Sequence, residues 1–192
     1  KYAHLDYDTI DRKKVDPKIL SYHAWQDLVC DDEEVTYKIP EEYQLLLDIC
    51  QSIYKHKYAS RRVTWEHKLS KAIVKLNIND SEYLCLVTMS QMLILLALSN
   101  NGKVTIEKLG TLTGLPHNKI YHVVKKLSSI NLVNIFDDEK EVDDPSIESI
   151  INVKFSRDDK MISLVPLDHI VPIMETSTEF DHAFDRTTAT LA

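Results

Sequence analysis

The sequence predicts an α+β fold, in which a small mixed α/β sheet domain is followed by a winged-helix domain. The second part of this prediction rests on the order of the periodic segments after residue 88. They are an apolar helix at 89–98, short helices at 105–113 and 118–130, and strand-like runs at 132–136 and 150–155. Three helices followed by two strands in this order are typical of a winged helix.

The first part of the chain alternates between strand and helix patterns. A strand is predicted at 15–22, where Pro17 lacks a ladder donor and so favours an edge position or a start at Lys18. Pro40, followed by two glutamates, predicts the start of a helix at 41–56. A short helix at 65–70, capped by Thr64, and strands at 73–78 and 83–87 complete the domain.

These patterns divide the chain into three parts. Residues 1–88 form the α/β part and residues 89–167 form the winged helix. Residues 168–192 read as a C-terminal linker toward a final winged helix that lies outside this sequence. The chain begins with Lys1 rather than Met, so we expect it to be a fragment.

Composition indicates a folded intracellular protein. Of the 192 residues, 44% are hydrophobic and only three are glycine, which argues against long disordered linkers. The three cysteines have no C-x-x-C spacing and read as reduced thiols. The longest apolar stretch, residues 84–98, is shorter than the roughly 20 residues that span a bilayer, so no membrane segment is expected.

Charge is distributed in blocks along the chain. Residues 27–48 contain eight acids and one base, whereas residues 55–75 contain seven bases and one acid. The predicted wing, residues 137–148, contains seven acids and one base. Because such a wing repels phosphate, it argues for a protein partner and against nucleic acid. The lysines of the third helix and the basic block keep DNA binding as an alternative.

Catalytic and metal-binding motifs are missing from the sequence. It contains no G-x-G-x-x-G, Walker loop, H-E-x-x-H or G-x-S-x-G pattern. His117 and His122 are five residues apart and do not share a helix face as metal ligands would. We therefore expect no enzyme activity, no cofactor and no metal.

Four short motifs, in one order, resemble the C-terminal region of cullins over about residues 15–167. Residues 19–26 read ILSYHAWQ, where cullins have I-L-S-T-G-x-W-P, and residues 39–42 read IPEE, where they have L-P-x-E. The third motif joins Ile53-Tyr54 to RRVTWEHKLS at 61–70, similar to F-Y and then G-R-K-L-x-W-x-x-x-L-G/S. The fourth, TMSQMLILL at 88–96, is similar to S-x-x-Q-M-x-I-L-L.

The resemblance implies a non-catalytic scaffold of a multi-subunit ubiquitin ligase. Cullins bind a RING box protein whose N-terminal strand joins the α/β sheet, and the assembly positions a ubiquitin-conjugating enzyme. An adaptor and a substrate receptor would bind through the distant N-terminal region. Added-strand pairing would supply main-chain hydrogen bonds here. The residues expected to contact the RING partner are Lys18, Ile19, Leu20, Ser21, Tyr22 and Trp25, with Leu84 and Leu86 as second choices.

Four further residues belong to the motifs that carry the resemblance: Arg61, Arg62, Trp65 and Gln91. The chain also departs from the family pattern, with Gln26 in place of proline, Ser60 in place of glycine and Tyr58 in place of histidine. These departures suggest a diverged member, a fungal cullin, located in nucleus and cytoplasm. The lysine that cullins carry for modification is expected in the final winged helix and is not in this sequence.

Two alternatives remain open from the sequence. One is a DNA-binding winged-helix protein. The other is an assembly subunit without a RING partner, such as the cullin-like subunit of the anaphase-promoting complex.

Overall fold

The computed structural model describes residues 35–136 and 144–165, together with Pro17. Of these, residues 40–64 form one compact unit, and residues 35–39, 65–136 and 144–165 form a second. In chain order the elements are helix α1 (Glu41–Lys57), a 3₁₀ turn (His67–Leu69), strands β1 (Lys71–Ile78) and β2 (Ser81–Thr88), helix α2 (Met89–Asn101), strand β3 (Val104–Thr105), helices α3 (Ile106–Thr113) and α4 (His117–Ser129), and strands β4 (Val133–Phe136), β5 (Glu148–Ile151) and β6 (Met161–Ser163).

Helix α1 is the main element of the first unit. Glu41 and Glu42 occupy its first turn, and Lys55, His56 and Lys57 occupy its last, so side-chain charges oppose the helix dipole at both ends. Cys50 and Tyr54, four residues apart, are its buried residues. The predicted helix at 41–56 is confirmed.

The second unit contains two three-stranded sheets. The first sheet has the order β1–β2–β6, with β1 antiparallel and β6 parallel to β2. Its inner face carries Leu76, Ile78, Tyr83, Cys85 and Val87, which are buried, and it packs against α2. This alternation of buried and exposed residues is the period of two that predicted the strands.

Two residues, Asn79 and Asp80, join β1 to β2. Their φ angles are 48° and 58°, both positive, as a type I′ hairpin turn requires. The short polar side chains of Asn and Asp tolerate this conformation better than most residues. The turn sets the register of the hairpin, in which Ile78 lies opposite Ser81 and Lys71 lies opposite Thr88.

Helices α2, α3 and α4 pack against one another and against the second sheet, whose order is β3–β5–β4. The buried stripe of α4 consists of Ile120, Tyr121, Val124 and Leu127 at helical spacing. Together with α2 and the inner face of the first sheet, these residues form one continuous core. The element order from α2 to β5 agrees with the predicted order, and the identification of a winged helix stays a prediction that this order supports.

Residues 35–39, which we call the strap, lie against the turn between α3 and α4. The Lys38 backbone N–H donates to the Thr113 carbonyl at 2.8 Å, and Lys38 Nζ donates to the Thr111 carbonyl at 2.6 Å. Both carbonyls belong to the last turn of α3, which has no intrahelical donors for them. The turn residue Gly114 has φ 78°, and a Cβ there would lie 2.8 Å from the Thr36 carbonyl oxygen. The strap therefore requires glycine at this position.

The structure corrects several details of the sequence prediction. The predicted helix at 65–70 is a 3₁₀ turn of three residues, capped by Glu66 rather than Thr64, since the Glu66 carboxylate accepts a bond from the Lys68 N–H at 3.1 Å. The second wing strand is Glu148–Ile151 rather than 150–155. It ends early because the Phe155 N–H donates to the Asn152 carbonyl and closes a turn. The sequence prediction also missed β3 and β6.

The domain boundary predicted at residue 88 falls inside the second unit. Thr88 ends β2 and caps α2, so the first sheet continues directly into the helices. Because the inner face of the sheet and α2 bury the same apolar residues, no break in packing occurs there. The predicted strand at 15–22, the acidic segment 137–143 and the linker 168–192 lie outside the described residues.

Candidate partner-binding surface

Strand β1 forms the outer edge of the first sheet in the described part of the chain. In a two-residue hairpin the pair next to the turn is hydrogen-bonded, and every second pair follows. Residues 72, 74, 76 and 78 therefore bond to β2. The Met89 N–H, which donates to the Ser70 carbonyl at 3.1 Å, continues the same parity. The N–H and C=O groups of Lys71, Ile73, Lys75 and Asn77 accordingly point to the open edge.

The same four residues carry their side chains on the outer face of the sheet, which is the face away from α2. Lys71, Ile73, Lys75 and Asn77 are all exposed. The inner row, Ala72, Val74, Leu76 and Ile78, is apolar, and its burial increases toward the hairpin turn. Ala72 and Val74 pack against the core but are only half-buried. Within the described residues, the edge thus combines unpaired backbone groups with an apolar inner row that a further strand would extend.

Apolar residues also occupy the middle of the outer face. Ile73 and Met161 are each 71% exposed, and Leu84 lies between Lys75 and Met161 in the register of the sheet. Leu86, opposite Ile73, is half-buried. Lys75 Nζ pairs with Glu82 at 2.6 Å across the strands, whereas Lys71 makes no ion pair with any residue described by the structure.

Of the predicted RING-partner residues, only Leu84 and Leu86 lie within the described chain. Both are on β2, the central strand, and their backbones are already paired. The Leu84 N–H donates to the Lys160 carbonyl, and the Leu86 carbonyl accepts from the Leu164 N–H, each at 2.8 Å. An added strand therefore cannot pair with them, although their side chains face outward. Lys18, Ile19, Leu20, Ser21, Tyr22 and Trp25 lie outside the described residues.

Among the motif residues, Gln91 has the clearest structural role. Its Oε1 accepts from the Thr88 N–H at 2.9 Å, and its own N–H donates to Thr88 Oγ1 at 3.4 Å, which together form a capping box. Its Nε2 donates to the Leu164 carbonyl at 3.3 Å and so ties α2 to the residue after β6. The buried glutamine thereby holds two elements of the second unit together.

The other motif residues lie in different environments. Arg61 and Arg62 are exposed, and the Arg61 guanidinium lies 4.9 Å from the centre of the Tyr58 ring. Trp65 is half-buried, and its buried Nε1 has no acceptor among the described residues.

The basic face of α4 is partly covered at its start. Lys119 is half-buried, and its Nζ lies 6.0 Å from the centre of the Tyr37 ring of the strap. Lys125 Nζ donates to the Tyr121 hydroxyl at 3.0 Å. In winged and related helices, the first residues of the recognition helix contact base edges. The strap occupies the space beside those residues.

Titratable side chains in the described residues do not form a catalytic set, and no three of their His, Cys, Asp and Glu residues are grouped to hold a metal. Burial raises the pKa of the Cys50 and Cys85 thiols, so both are poor nucleophiles. Burial also lowers the pKa of His67. The backbone N–H of Arg157 and then Lys160 lower the pKa of Tyr83 by bonding to its hydroxyl.

The surface depressions that the structure outlines are formed by the polar turns at 129–131 and 152–159. None of the described helices is both long and apolar enough to cross a bilayer. The most distinctive surface of the second unit is therefore the open edge of β1 with its outer row.

Comparison with known families identifies the family that this chain matches. Residues 19–155 match the family model described as the cullin alpha+beta domain. The match covers α1, the three helices of the second unit and every described strand except β6. It includes all four motifs on which the resemblance rested.

Proposed function

This chain belongs to the cullin family, a family of ubiquitin ligase scaffolds rather than catalysts, and from that premise we propose that it docks a RING box protein and positions a ubiquitin-conjugating enzyme. The RING box protein adds a strand to the sheet of the scaffold, and the conjugating enzyme binds indirectly through it. The adaptor and substrate receptor bind outside this region. The complex works in the nucleus and cytoplasm.

The open edge of β1 is the observation that carries the proposal. It offers four residues whose backbone groups point away from the sheet, beside an apolar inner row. An edge of this length presents a row of backbone groups that a further strand can pair with. A strand supplied by another protein would satisfy the backbone groups and bury the inner row.

Capture of a zinc-loaded RING box protein by the full chain tests the proposal. Wild-type chain should co-purify with it at a one-to-one ratio through size exclusion. The strand expected at 18–22 is tested with Leu20→Pro, which removes a backbone donor, against Leu20→Ile, which keeps it. Absence of capture by the wild-type chain would refute RING docking, and circular dichroism must show that each variant is folded.

Positioning of the conjugating enzyme is tested separately. The isolated complex should accelerate discharge of ubiquitin from a charged conjugating enzyme to free lysine, relative to the same concentration of RING box protein alone. Equal discharge rates with and without the chain would contradict the positioning role while leaving RING docking intact.

The structure gives less support to DNA binding. The strap lies beside Lys119 and the start of α4, which a groove-binding helix would need free. The acidic segment between β4 and β5 would also oppose phosphate. We expect the chain to bind duplex DNA with a Kd weaker than about 10⁻⁶ M at physiological salt. Nanomolar binding in a gel shift would overturn the scaffold proposal.

A further inference from the structure

We infer that the open edge of β1 selects its partner by side-chain pattern, accepting a strand with an acidic residue opposite Lys71 and an apolar residue opposite Ile73. This inference rests on the proposed RING docking, because it describes the strand which that partner would add. The docking edge is β1, and Lys71 and Ile73 give the specificity.

Only the odd-numbered residues of β1 present backbone N–H and C=O groups to a partner strand. Lys71, Ile73, Lys75 and Asn77 present N–H and C=O groups to the open edge, while the even-numbered residues bond to β2. A strand that pairs with the edge must therefore align with these four residues. Directly opposite side chains in neighbouring strands lie about 5 Å apart and contact each other.

The inner row determines half of the partner's pattern. Ala72, Val74, Leu76 and Ile78 form an apolar row that packs with α2 and the core. The corresponding residues of the added strand would continue this row and must be apolar. The half-burial of Ala72 and Val74 means that the described residues leave part of the apolar surface at the edge uncovered.

The outer row determines the other half. It reads Lys71, Ile73, Lys75 and Asn77, with exposed cations on both sides of an exposed isoleucine. Lys75 is already paired with Glu82, whereas Lys71 has no described ion-pair partner. An acidic residue opposite Lys71 and an apolar residue opposite Ile73 would complement this row, and a basic residue opposite Lys71 would be repelled.

Charge disfavours a second copy of the chain at this edge in two registers, although not in the register centred on Val74, which sets Lys71 opposite Asn77. Antiparallel pairing of two β1 strands centred on Ile73 sets Lys71 of one copy opposite Lys75 of the other, and pairing centred on Lys75 sets that lysine opposite itself. Like charges directly opposite each other destabilise a strand pair. Edge lysines are one of the devices by which proteins avoid such self-pairing.

The edge itself is tested with two substitutions at one position in the full chain. Lys75→Pro removes an N–H that points to the open edge and leaves the β1–β2 bonds in place, which an edge strand tolerates. Lys75→Gln is the matched control, because it removes the same charge and the Glu82 ion pair but keeps the N–H. Capture of zinc-loaded RING box protein should fall at least tenfold for Lys75→Pro relative to Lys75→Gln.

The pattern is tested with two synthetic peptides matched to β1 in length and sharing one apolar inward row. One has glutamate and the other has lysine at the position opposite Lys71. The full chain should prefer the glutamate peptide by about three- to tenfold, and Lys71→Glu should invert this preference. Lys108→Glu, a charge reversal of another exposed lysine on α3, should leave it unchanged. An inversion is a result that general loss of structure cannot produce.

The outcomes separate the two proposals. If the wild-type chain captures no RING box protein, the RING docking proposal is wrong. The peptide preferences then still show whether β1 selects a strand with an acidic residue opposite Lys71. If the wild-type chain and folded Lys75→Pro capture it equally, docking stands and the β1 assignment is overturned in favour of another strand, such as 18–22. A concentration-dependent dimer that Lys75→Pro abolishes would make a second copy the occupant and would also overturn the inference.

Discussion

The two sheets of the second unit differ in how far other side chains cover their exposed apolar residues. In the β3–β5–β4 sheet, Phe136 is 41% exposed, but Lys103 Nζ lies 4.3 Å from the centre of its ring and also pairs with Glu148. In the β1–β2–β6 sheet, Ile73 and Met161 are 71% exposed. A lysine of the same unit covers Phe136, whereas no described side chain covers Ile73 and Met161 to the same extent.

The edge strands of the two sheets also differ in length. The edge strands of the β3–β5–β4 sheet, β3 and β4, have two and four residues, whereas β1 has eight. Short edge strands offer few backbone groups to a further strand, and long ones offer many. The contrast indicates that the smaller sheet has a packing role, while the open edge of the larger one is suited to a partner.

The largest expected effect is a difference in stability between alanine substitutions on the two faces of β1. Leu76, on the inner face, is 7% exposed, and replacing it with alanine should cost about 2–5 kcal/mol of unfolding free energy. Ile73→Ala on the same strand should cost less than about 0.5 kcal/mol, because its side chain is mostly in water already. Urea denaturation of both variants gives the comparison, and equal costs would show that the outer face is packed.

A smaller effect is expected where a lysine covers an aromatic ring. Lys103→Ala removes the contact with Phe136 and the ion pair with Glu148, and should cost about 0.5–1.5 kcal/mol. Lys71→Ala, on the open sheet, has no described ion pair to lose and should leave stability unchanged. If the two variants have the same stability in urea, the cover over Phe136 contributes nothing and the contrast between the sheets fails.

A glycine in the hairpin turn should raise the stability of the chain. Asp80 has φ 58°, a conformation that glycine adopts without a Cβ penalty, so Asp80→Gly should stabilise the chain by roughly 0.5 kcal/mol. RING capture should not change, since the turn lies beyond the residues inferred to contact the partner. A lower melting temperature for this variant would mean that the Asp80 side chain supports the turn in a way the φ angle does not reveal.

The smallest effect concerns pH. Burial lowers the pKa of His67 below its ordinary value of 6.5, so the unfolded chain binds a proton more readily than the folded chain. The corresponding stability is present above pH 6.5 and is lost as the pH falls from there toward the lower folded pKa. His67→Gln should flatten this part of a plot of melting temperature against pH. An unchanged slope would exclude His67 as its source.

Sequence patterns located most of the elements. The 3-4 spacing of apolar residues predicted α1 and α4, and the alternation after residue 70 predicted β1 and β2. These signals are readable because periodicity is local and depends only on which face is buried. The 3₁₀ turn at His67–Leu69 and the short strand β6 carry too few residues to show a period, and the sequence prediction misassigned the first and missed the second.

The candidate surface could be predicted from the sequence only in part, because it depends on contacts between distant segments. The family motifs could be recognised from the sequence because they are short and ordered along the chain. They pointed to Leu84 and Leu86 as possible strand contacts, and nothing local indicates that the backbone of β2 is already paired on both sides. That depends on β6, which is separated from β2 by more than seventy residues, and on the parity set by the Asn79–Asp80 turn.

The sequence by itself therefore determined that this protein is an α+β member of the cullin family with an apolar-cored hairpin and a helical unit, because those features follow from local periodicity and short motifs. Only the tertiary structure decided that β1 is the open edge among the described strands, that β2 is central and that the strap lies beside α4. Each of these depends on pairing between segments far apart in the chain, where the geometry of the whole unit, rather than the preference of any one segment, selects the neighbour.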